Sequence, residues 1–138
     1  YPEKIFVPEW VAVKEDGSRS EYPVNSIPAK GPVLDLGMDS IIAFSKAVKK
    51  AGTVVFNGPA GVFEEKNFAT GTFELLKAAA SVEFSVIGGG HTAAVAEKMG
   101  IETNFTHIST GGGACIEFLT GETLPAVDAL ERSKKRYG

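Results

Sequence analysis

Short hydrophobic runs alternate with amphipathic stretches along most of the chain. Four of the runs have the length of a strand: VLDLG begins at Val33, TVVF at Thr53, FSVI at Phe84 and THIS at Thr106. Strands that are apolar along their whole length are typical of parallel sheets buried on both faces. Between these runs, apolar residues recur every three or four positions, which predicts helices. Strands and helices that alternate through short turns favour right-handed crossovers and an α/β fold.

The expected fold is a three-layer, open and mostly parallel sheet of the Rossmann-like type, with helices on both sides. The predicted helices run from a cap at Asp39 to Ala51, from Asn67 to Ala80, from His91 to Met99 and from Ala114 to Leu119. Before the first strand of the sheet, two apolar bursts flank Pro8. The polar stretch from Glu15 to Ala29 predicts a loop or a hairpin.

Composition narrows the class of protein. The chain has 138 residues, of which 43% are hydrophobic and 22% charged, as in one ordinary globular domain. A net charge of −3 provides no basic surface for nucleic acid and no polybasic membrane anchor. Cys115 is the single cysteine, and no hydrophobic run approaches the roughly 20 residues of a membrane helix. We therefore expect a cytoplasmic protein that binds neither nucleic acid nor membrane.

Glycine marks the positions where chemistry is expected. Three consecutive predicted strands end in glycine-rich turns: NGPAG at Asn57 to Gly61, GGGHT at Gly88 to Thr92 and TGGGA at Thr110 to Ala114. The carboxyl ends of parallel strands meet at one edge of a sheet, so the three turns should lie together. Glycine lets backbone amides approach a phosphate closely, and a helix N-terminus adds free N–H donors. The pattern therefore predicts a phosphate site at this edge.

Other interpretations of these glycines fit less well. One glycine pair after a strand usually forms only a tight turn, but two separate GGG triplets are hard to explain by turns alone. The P-loop pattern GxxxxGK[ST] does not occur in the sequence. Gly88, Gly90 and Ala93 match a loose dinucleotide fingerprint, yet the acidic residue that it requires is missing from residues 103–116. A nicotinamide-dinucleotide site is therefore disfavoured.

The polar residues beside the turns could have either functional or structural roles. Glu64 could accept hydrogen bonds from ribose hydroxyls, or Glu64 and Glu65 could be solvated acids in the first turn of a helix. His91 could donate to a phosphate or join the outer shell of a metal, and it could equally cap a helix without a functional role. His107 and Cys115 lie in apolar segments and are expected to be structural.

Several long motifs resemble the phosphoglycerate kinase family. VVFNGPAGVFE, from Val54 to Glu64, is similar to the family's NGPxGVFE signature, and VIGGGHT is similar to its IGGGDT turn. HISTGGGACIEFLTGETLPAVDAL, from His107 to Leu130, resembles the end of the family's sequence. The resemblance covers most of the chain from Val33 onward and is loose over the first 30 residues. It implies a site for ATP or ADP.

The resemblance also implies roles for individual residues. Glu64 would contact the ribose, and Asn57 and Pro59 would line the nucleotide site. The second glycine-rich turn would hold the phosphates. The implied nucleotide-binding residues are Asn57, Pro59, Glu64, Gly88, Gly89, Gly90, His91 and Thr92.

By resemblance, the activity is phosphoryl transfer between 1,3-bisphosphoglycerate and ADP, which gives 3-phosphoglycerate and ATP in glycolysis. As catalytic groups, the amides of Gly111 and Gly112 would stabilise the transferring phosphoryl group. The nucleotide would be Mg-ATP or Mg-ADP. However, His91 stands where the family has a magnesium-associated aspartate. Because Mg²⁺ prefers oxygen ligands, the metal ligands stay unassigned.

The chain is expected to carry only part of the catalytic site. Phosphoryl transfer needs positive charge at the transferred group, and none of the glycine-rich turns contains Lys or Arg. The resemblance implies that residues 1–138 are the C-terminal portion of the nucleotide-binding domain. The N-terminal domain that binds 3-phosphoglycerate would be absent, and residues 128–138 would lack their docking surface. We expect the chain alone to be inactive. The alternative is a non-catalytic nucleotide-binding or interaction module.

Overall fold

The computed structural model describes residues 1–27 and 30–138. Pro28 and Ala29, at the end of the predicted loop or hairpin, lie outside the described residues. The strands in these ranges are β1 (Trp10–Glu15), β2 (Ser18–Pro23), β3 (Val33–Leu36), β4 (Thr53–Asn57), β5 (Phe84–Gly88) and β6 (His107–Ser109). The α-helices are α1 (Met38–Lys49), α2 (Thr70–Ala80), α3 (Gly90–Lys98), α4 (Gly113–Thr120) and α5 (Pro125–Tyr137). Every helix in the two ranges is too short or too polar to cross a membrane.

A parallel sheet with the strand order β4-β5-β6 forms the frame of residues 53–109. Its two pairings run in register, from Thr53 opposite Phe84 at one end to Gly88 opposite Ser109 at the other. Ile87 of the central strand is fully buried in the main hydrophobic core. The other buried members of this core are Leu76 and Ala79 of α2, Val95 and Ala96 of α3, and Phe105. The predicted α/β fold with a parallel sheet flanked by helices is confirmed.

The opposite face of the parallel sheet is more open. Phe84 is 48% exposed there, and Val86 is half-buried. Together with Phe118 of α4, they border an open space of about 500 Å³ between the sheet and α4. His107 and Cys115 line the same space, and His107 is exposed rather than part of the core. Helix α4 therefore covers this face without burying any of its own residues.

Strand β3 does not join the parallel sheet, contrary to the prediction from its apolar character. It pairs antiparallel with β1, where Leu36 lies opposite Val11. Since β1 also pairs antiparallel with β2, a second sheet has the order β2-β1-β3. Asp16 and Gly17 connect β1 to β2 with φ angles of 46° and 81°, as a two-residue hairpin turn requires. The described part of the polar stretch is therefore a hairpin.

A buried ion pair explains the position of β3. The side chain of Asp35, in the middle of β3, is fully buried, and its Oδ2 accepts a hydrogen bond from Arg19 Nη1 of β2 at 2.9 Å. A buried carboxylate without a partner is strongly destabilising, so β3 is held beside the hairpin that supplies the cation. The same oxygen accepts the Gly71 N–H at 3.0 Å. This bond ties the antiparallel sheet to the start of α2.

Two helix assignments differ from the sequence prediction. Gly37, rather than Asp39, is the N-cap residue of α1, and Asp39 lies in the first turn, where a carboxylate favours the helix dipole. The hydrophobic pattern also does not predict α5. Pro125 in its first turn and an ion pair between Asp128 and Arg132 at 2.9 Å are nevertheless typical helix features. No residue of α5 is buried.

Candidate functional site

The carboxyl ends of the three parallel strands lie at one level of the sheet. Asn57 pairs with Gly88, and Gly88 pairs with Ser109, so the last residues of β4, β5 and β6 stand side by side. A glycine-rich turn continues from each of these ends. The three turns therefore begin at the same edge, as the strand pattern predicts.

Hydrogen bonds join the three turns to one another. The Gly58 N–H donates to Thr92 Oγ1 at 3.1 Å, which links the first turn to the second. The Gly89 N–H donates to the Ser109 carbonyl at 3.1 Å, which links the second turn to the end of β6. A Cβ placed on Gly112 would lie 4.0 Å from Gly89 Cα, so the third turn closely approaches the second. The turns thus form one continuous surface.

A cleft of about 340 Å³ lies where the three turns meet, and we call it the phosphate cleft after the ligand that the sequence leads us to expect. Its lining residues are Asn57, Gly58, Pro59, Gly89, Gly90, His91, Thr92 and Gly112. All of them except Gly58 belong to the site predicted from the sequence. Gly88, Gly111 and Glu64 are predicted site residues that do not line it. No Lys, Arg, Asp or Glu side chain lines it either, so its polar groups are backbone groups and the side chains of Asn57, His91 and Thr92.

Two helices begin at the phosphate cleft. Gly89 (φ 91°) and Gly112 (φ 50°) are the N-cap residues of α3 and α4, and both conformations are strained for a residue with a Cβ. The first amides of an α-helix have no partner within the helix, and the aligned peptide dipoles add partial positive charge. Both effects favour a bound anion such as a phosphate.

Gly88 and Gly111 support the phosphate cleft from outside it. A Cβ on Gly88 would come 2.6 Å from Asn57 Oδ1, so glycine at this position makes room for the Asn57 side chain. The Gly111 N–H donates to Ser109 Oγ at 3.3 Å. This amide would have to leave the Ser109 hydroxyl before it could bind a phosphoryl group.

Glu64 lines neither the phosphate cleft nor the cleft on the other side of the first turn. It is exposed in the turn before the 3₁₀ segment Lys66–Phe68, so neither it nor Glu65 is in the first turn of an α-helix. Glu65 forms an ion pair with Lys14 Nζ at 2.6 Å. The preceding residue, Phe63, packs edge-to-face on His91 with ring centroids 6.4 Å apart. Glu64 is therefore next in sequence to a residue that contacts the rim of the phosphate cleft.

A second cleft, of about 380 Å³, lies on the other side of the first turn, and we call it the apolar cleft. It shares Pro59 with the phosphate cleft, and Leu34 and Val62 are among its lining residues. The Val62 N–H donates to the Leu34 carbonyl at 2.8 Å, which holds the chain after the turn against β3. The hydrophobic pattern does not predict this cleft, because nothing in it places β3 beside the turn.

The side chains of the phosphate cleft do not fit a magnesium ion held by the protein. Within residues 1–27 and 30–138, no three His, Cys, Asp or Glu side chains come close enough together to hold a metal. The cleft itself offers the Asn57 amide and the His91 imidazole. Mg²⁺ prefers an octahedron of oxygen ligands, usually with one or two carboxylates.

Thr72 is a supporting residue that ends the FATGT motif, Phe68 to Thr72, but is not among the predicted site residues. Its side chain is fully buried in the first turns of α2, and its Oγ1 accepts the N–H groups of Ala60 and Gly61 at 3.1 Å each. A threonine near the start of an amphipathic helix is most simply explained by packing. The contact joins residues about a dozen positions apart, and no local pattern indicates it.

The fold is that of an α/β protein whose parallel strands end in glycine-rich turns around a shared cleft. A family model described as phosphoglycerate kinase matches residues 1–122. This match includes both sheets and all three turns. The chain belongs to the phosphoglycerate kinase family.

Curated phosphoglycerate kinases match nearly the whole of this chain. The phosphoglycerate kinase of Methanocorpusculum labreanum is 62% identical over 138 residues, which cover 100% of this chain and 34% of that protein. The phosphoglycerate kinase of Methanothermus fervidus is 52% identical over 137 residues, which cover 99% of this chain and 33% of that protein. The chain therefore spans about a third of the length of these relatives.

Solved structures of the family share the fold. The crystal structure of phosphoglycerate kinase from Pyrococcus horikoshii OT3 matches 99% of this chain and 35% of its own, with a TM-score of 0.81 and 40% sequence identity. The structure of phosphoglycerate kinase from Coxiella burnetii matches 88% of this chain and 33% of its own. Its TM-score is 0.77 at 34% identity.

Replacing Gly89 by alanine should destabilise the fold, because a φ of 91° is strained for a residue with a Cβ. We expect the free energy of unfolding to fall by about 1–3 kcal/mol, measured by urea denaturation with circular dichroism. Gly90→Ala is the matched control. A Cβ on Gly90 meets no atom within 4 Å, so its stability should change by less than about 0.5 kcal/mol. Equal stability of the two variants would contradict the requirement for glycine at position 89.

Proposed function

We propose that this chain forms nucleotide-binding structure of a phosphoglycerate kinase. The whole enzyme would transfer a phosphoryl group between 1,3-bisphosphoglycerate and ADP, giving 3-phosphoglycerate and ATP. The observation that carries the proposal is the cleft at which three glycine-rich turns and two helix N-termini meet. Such a surface presents backbone donors to an anion and no opposing carboxylate. Family membership supports the choice of reaction.

The two clefts suit different parts of ADP or ATP. The phosphates would lie in the phosphate cleft, against the turn at 88–92 and beside Asn57. The base would lie in the apolar cleft, against Val62. Pro59 lines both clefts and would stand between the two parts of the nucleotide. Glu64 follows Val62 closely in sequence and would accept hydrogen bonds from the ribose hydroxyls.

The third turn would act on the transferred group. Gly112 lines the phosphate cleft, and Gly111 precedes it in the same turn. As catalytic residues, they would donate their amides to the phosphoryl oxygens, whose negative charge must be stabilised during transfer. The Gly111 amide would first exchange Ser109 Oγ for the phosphoryl oxygen.

Positive charge for the transfer would come from outside the phosphate cleft, since no Lys or Arg lines it. We infer that residues 1–138 are the C-terminal portion of the nucleotide-binding domain. An N-terminal domain would bind 3-phosphoglycerate and complete the site, and this chain alone would be inactive. A non-catalytic nucleotide-binding module is the second candidate, because a lining without cations also suits binding without transfer.

A coupled kinase assay with ATP and 3-phosphoglycerate tests the proposal on two samples. One is this 138-residue chain, and the other is the complete product of the gene that encodes it. We expect turnover from the complete product and none from the chain alone, because the cations are needed for transfer. Turnover by the chain at the rate of the complete product would contradict its incompleteness. A complete product that binds ADP but shows no turnover would favour the non-catalytic module.

Replacing His91 by aspartate should make ADP binding depend more strongly on magnesium. Magnesium would reach the unsubstituted protein as Mg-ATP or Mg-ADP, held by phosphates and water. A carboxylate at position 91 would add an oxygen ligand. We expect excess Mg²⁺ to tighten ADP binding to His91→Asp on the order of tenfold more than to the unsubstituted protein, measured by calorimetry against EDTA.

His91→Asn is the control for this prediction, because it places an uncharged oxygen at the same position. Its response to magnesium should stay close to that of the unsubstituted protein. An equal response from His91→Asp and His91→Asn would contradict the idea that a carboxylate is the missing ligand.

A further inference from the structure

We propose that Thr72 is a positioning residue for the nucleotide site, because its buried hydroxyl fixes the first glycine-rich turn between the two clefts. For the identity of the ligand this inference rests on the proposed function. The hydrogen bonds that support it are independent of that function. Thr72 lines neither the phosphate cleft nor the apolar cleft, so its effect would act through the turn.

The hydroxyl oxygen of Thr72 accepts hydrogen bonds from two backbone N–H groups of the turn. The N–H groups of Ala60 and Gly61 both donate to Oγ1 at 3.1 Å. The Gly61 carbonyl oxygen lies 3.4 Å from the same hydroxyl, which can donate a long hydrogen bond to it. Thr72 is 0% exposed, so water does not readily take its place. Removing the hydroxyl would leave two amides without an acceptor, and such groups move or open the backbone to recover a partner.

The other end of the turn is held in the same way. The Gly58 N–H donates to Thr92 Oγ1 at 3.1 Å, and Thr92 is also 0% exposed. The residues on both sides of Pro59 are thus hydrogen-bonded to buried threonine hydroxyls, Thr92 on α3 before it and Thr72 on α2 after it. Because Pro59 lines both clefts, a movement of the turn would change the base and phosphate subsites together.

The position of Thr72 itself is set by the buried ion pair of the antiparallel sheet. Asp35 accepts the N–H of Gly71, the residue before Thr72, and is neutralised by Arg19. A Cβ on either Gly61 or Gly71 would collide with Asp35 Oδ1. The turn and the start of α2 therefore both pack closely against the carboxylate.

Three variants of the complete gene product test the inference. Thr72→Val keeps the shape and removes the hydroxyl, and Thr72→Ser keeps the hydroxyl. Thr106→Val is the control for the loss of a threonine acceptor, because Thr106 Oγ1, at an exposed position away from both clefts, accepts the Ser85 N–H at 3.1 Å. The measurements are the Kd for ADP by calorimetry and the amide hydrogen exchange of Ala60 and Gly61 by NMR.

We expect Thr72→Val to raise the Kd for ADP on the order of tenfold and to accelerate exchange at Ala60 and Gly61. Thr72→Ser should stay within about twofold of the unsubstituted protein, and Thr106→Val should leave the Kd unchanged within about twofold. Amide hydrogen exchange distinguishes a local effect on the turn from a general loss of stability. Thr106→Val should not accelerate exchange at Ala60 and Gly61.

An unchanged Kd in Thr72→Val would overturn the inference, and so would an equal rise of the Kd in Thr106→Val. If the unsubstituted protein binds no ADP, the proposed function fails. Exchange at Ala60 and Gly61 then still decides whether Thr72 holds the turn. If Thr72→Val does not fold, Thr72→Cys, which keeps a weaker acceptor of similar size, takes its place. The Kd for ADP should then increase from the unsubstituted protein to Thr72→Ser and be highest for Thr72→Cys.

Discussion

The alignment of three strand ends at one level of the parallel sheet is the constraint on which the candidate site depends. Asn57, Gly88 and Ser109 stand side by side because β4, β5 and β6 pair in register up to their last residues. A slip of one residue in β5 would turn its buried side chains to the other face and separate the turns. The same alignment leaves so little space that a side chain at position 88 would displace Asn57. The strand register and the glycine at position 88 are therefore both needed to bring the three turns together.

A buried charge connects this edge to the rest of the molecule. Asp35 lies in the antiparallel sheet, yet its carboxylate accepts an amide from the start of α2 and a guanidinium hydrogen from the hairpin. Removing Arg19 would leave the Asp35 carboxylate buried without a cation, which costs more than most surface contacts contribute. The ion pair between Lys14 and Glu65 contrasts with it. Their side chains are 37% and 41% exposed, and exposed pairs contribute little.

The parallel half of the fold could be predicted from the sequence because its signals are local. Apolar runs, helical periodicity and glycines after the strands all lie within a few residues of the structure they specify. They also predict most of the phosphate cleft, including Asn57, Pro59 and Gly112. The long glycine-rich motifs identify the family for the same reason.

The remaining features depend on contacts between distant residues. Asp35 interrupts an apolar strand, but its partner Arg19 lies 16 residues away, and β3 pairs with the distant strand β1 in a second sheet. The apolar cleft follows from that placement. Likewise, the bond from the Gly111 amide to Ser109 Oγ depends on a turn geometry that glycine-rich sequences leave open. Helix α5 escapes prediction although Val127 and Leu130 recur at helical spacing, because residues 131–136 are all polar or charged.

The most direct measurement of the central claim is an amide NMR titration of the complete gene product with ADP and, separately, with adenosine. If backbone amides at the strand ends hold the phosphates, ADP should shift the resonances of residues 89–92 and of Gly112, and adenosine should not. Adenosine should still shift residues of the apolar cleft such as Val62. Equal shifts of the glycine-rich turns by both ligands, or ADP shifts confined to other parts of the chain, would contradict the claim.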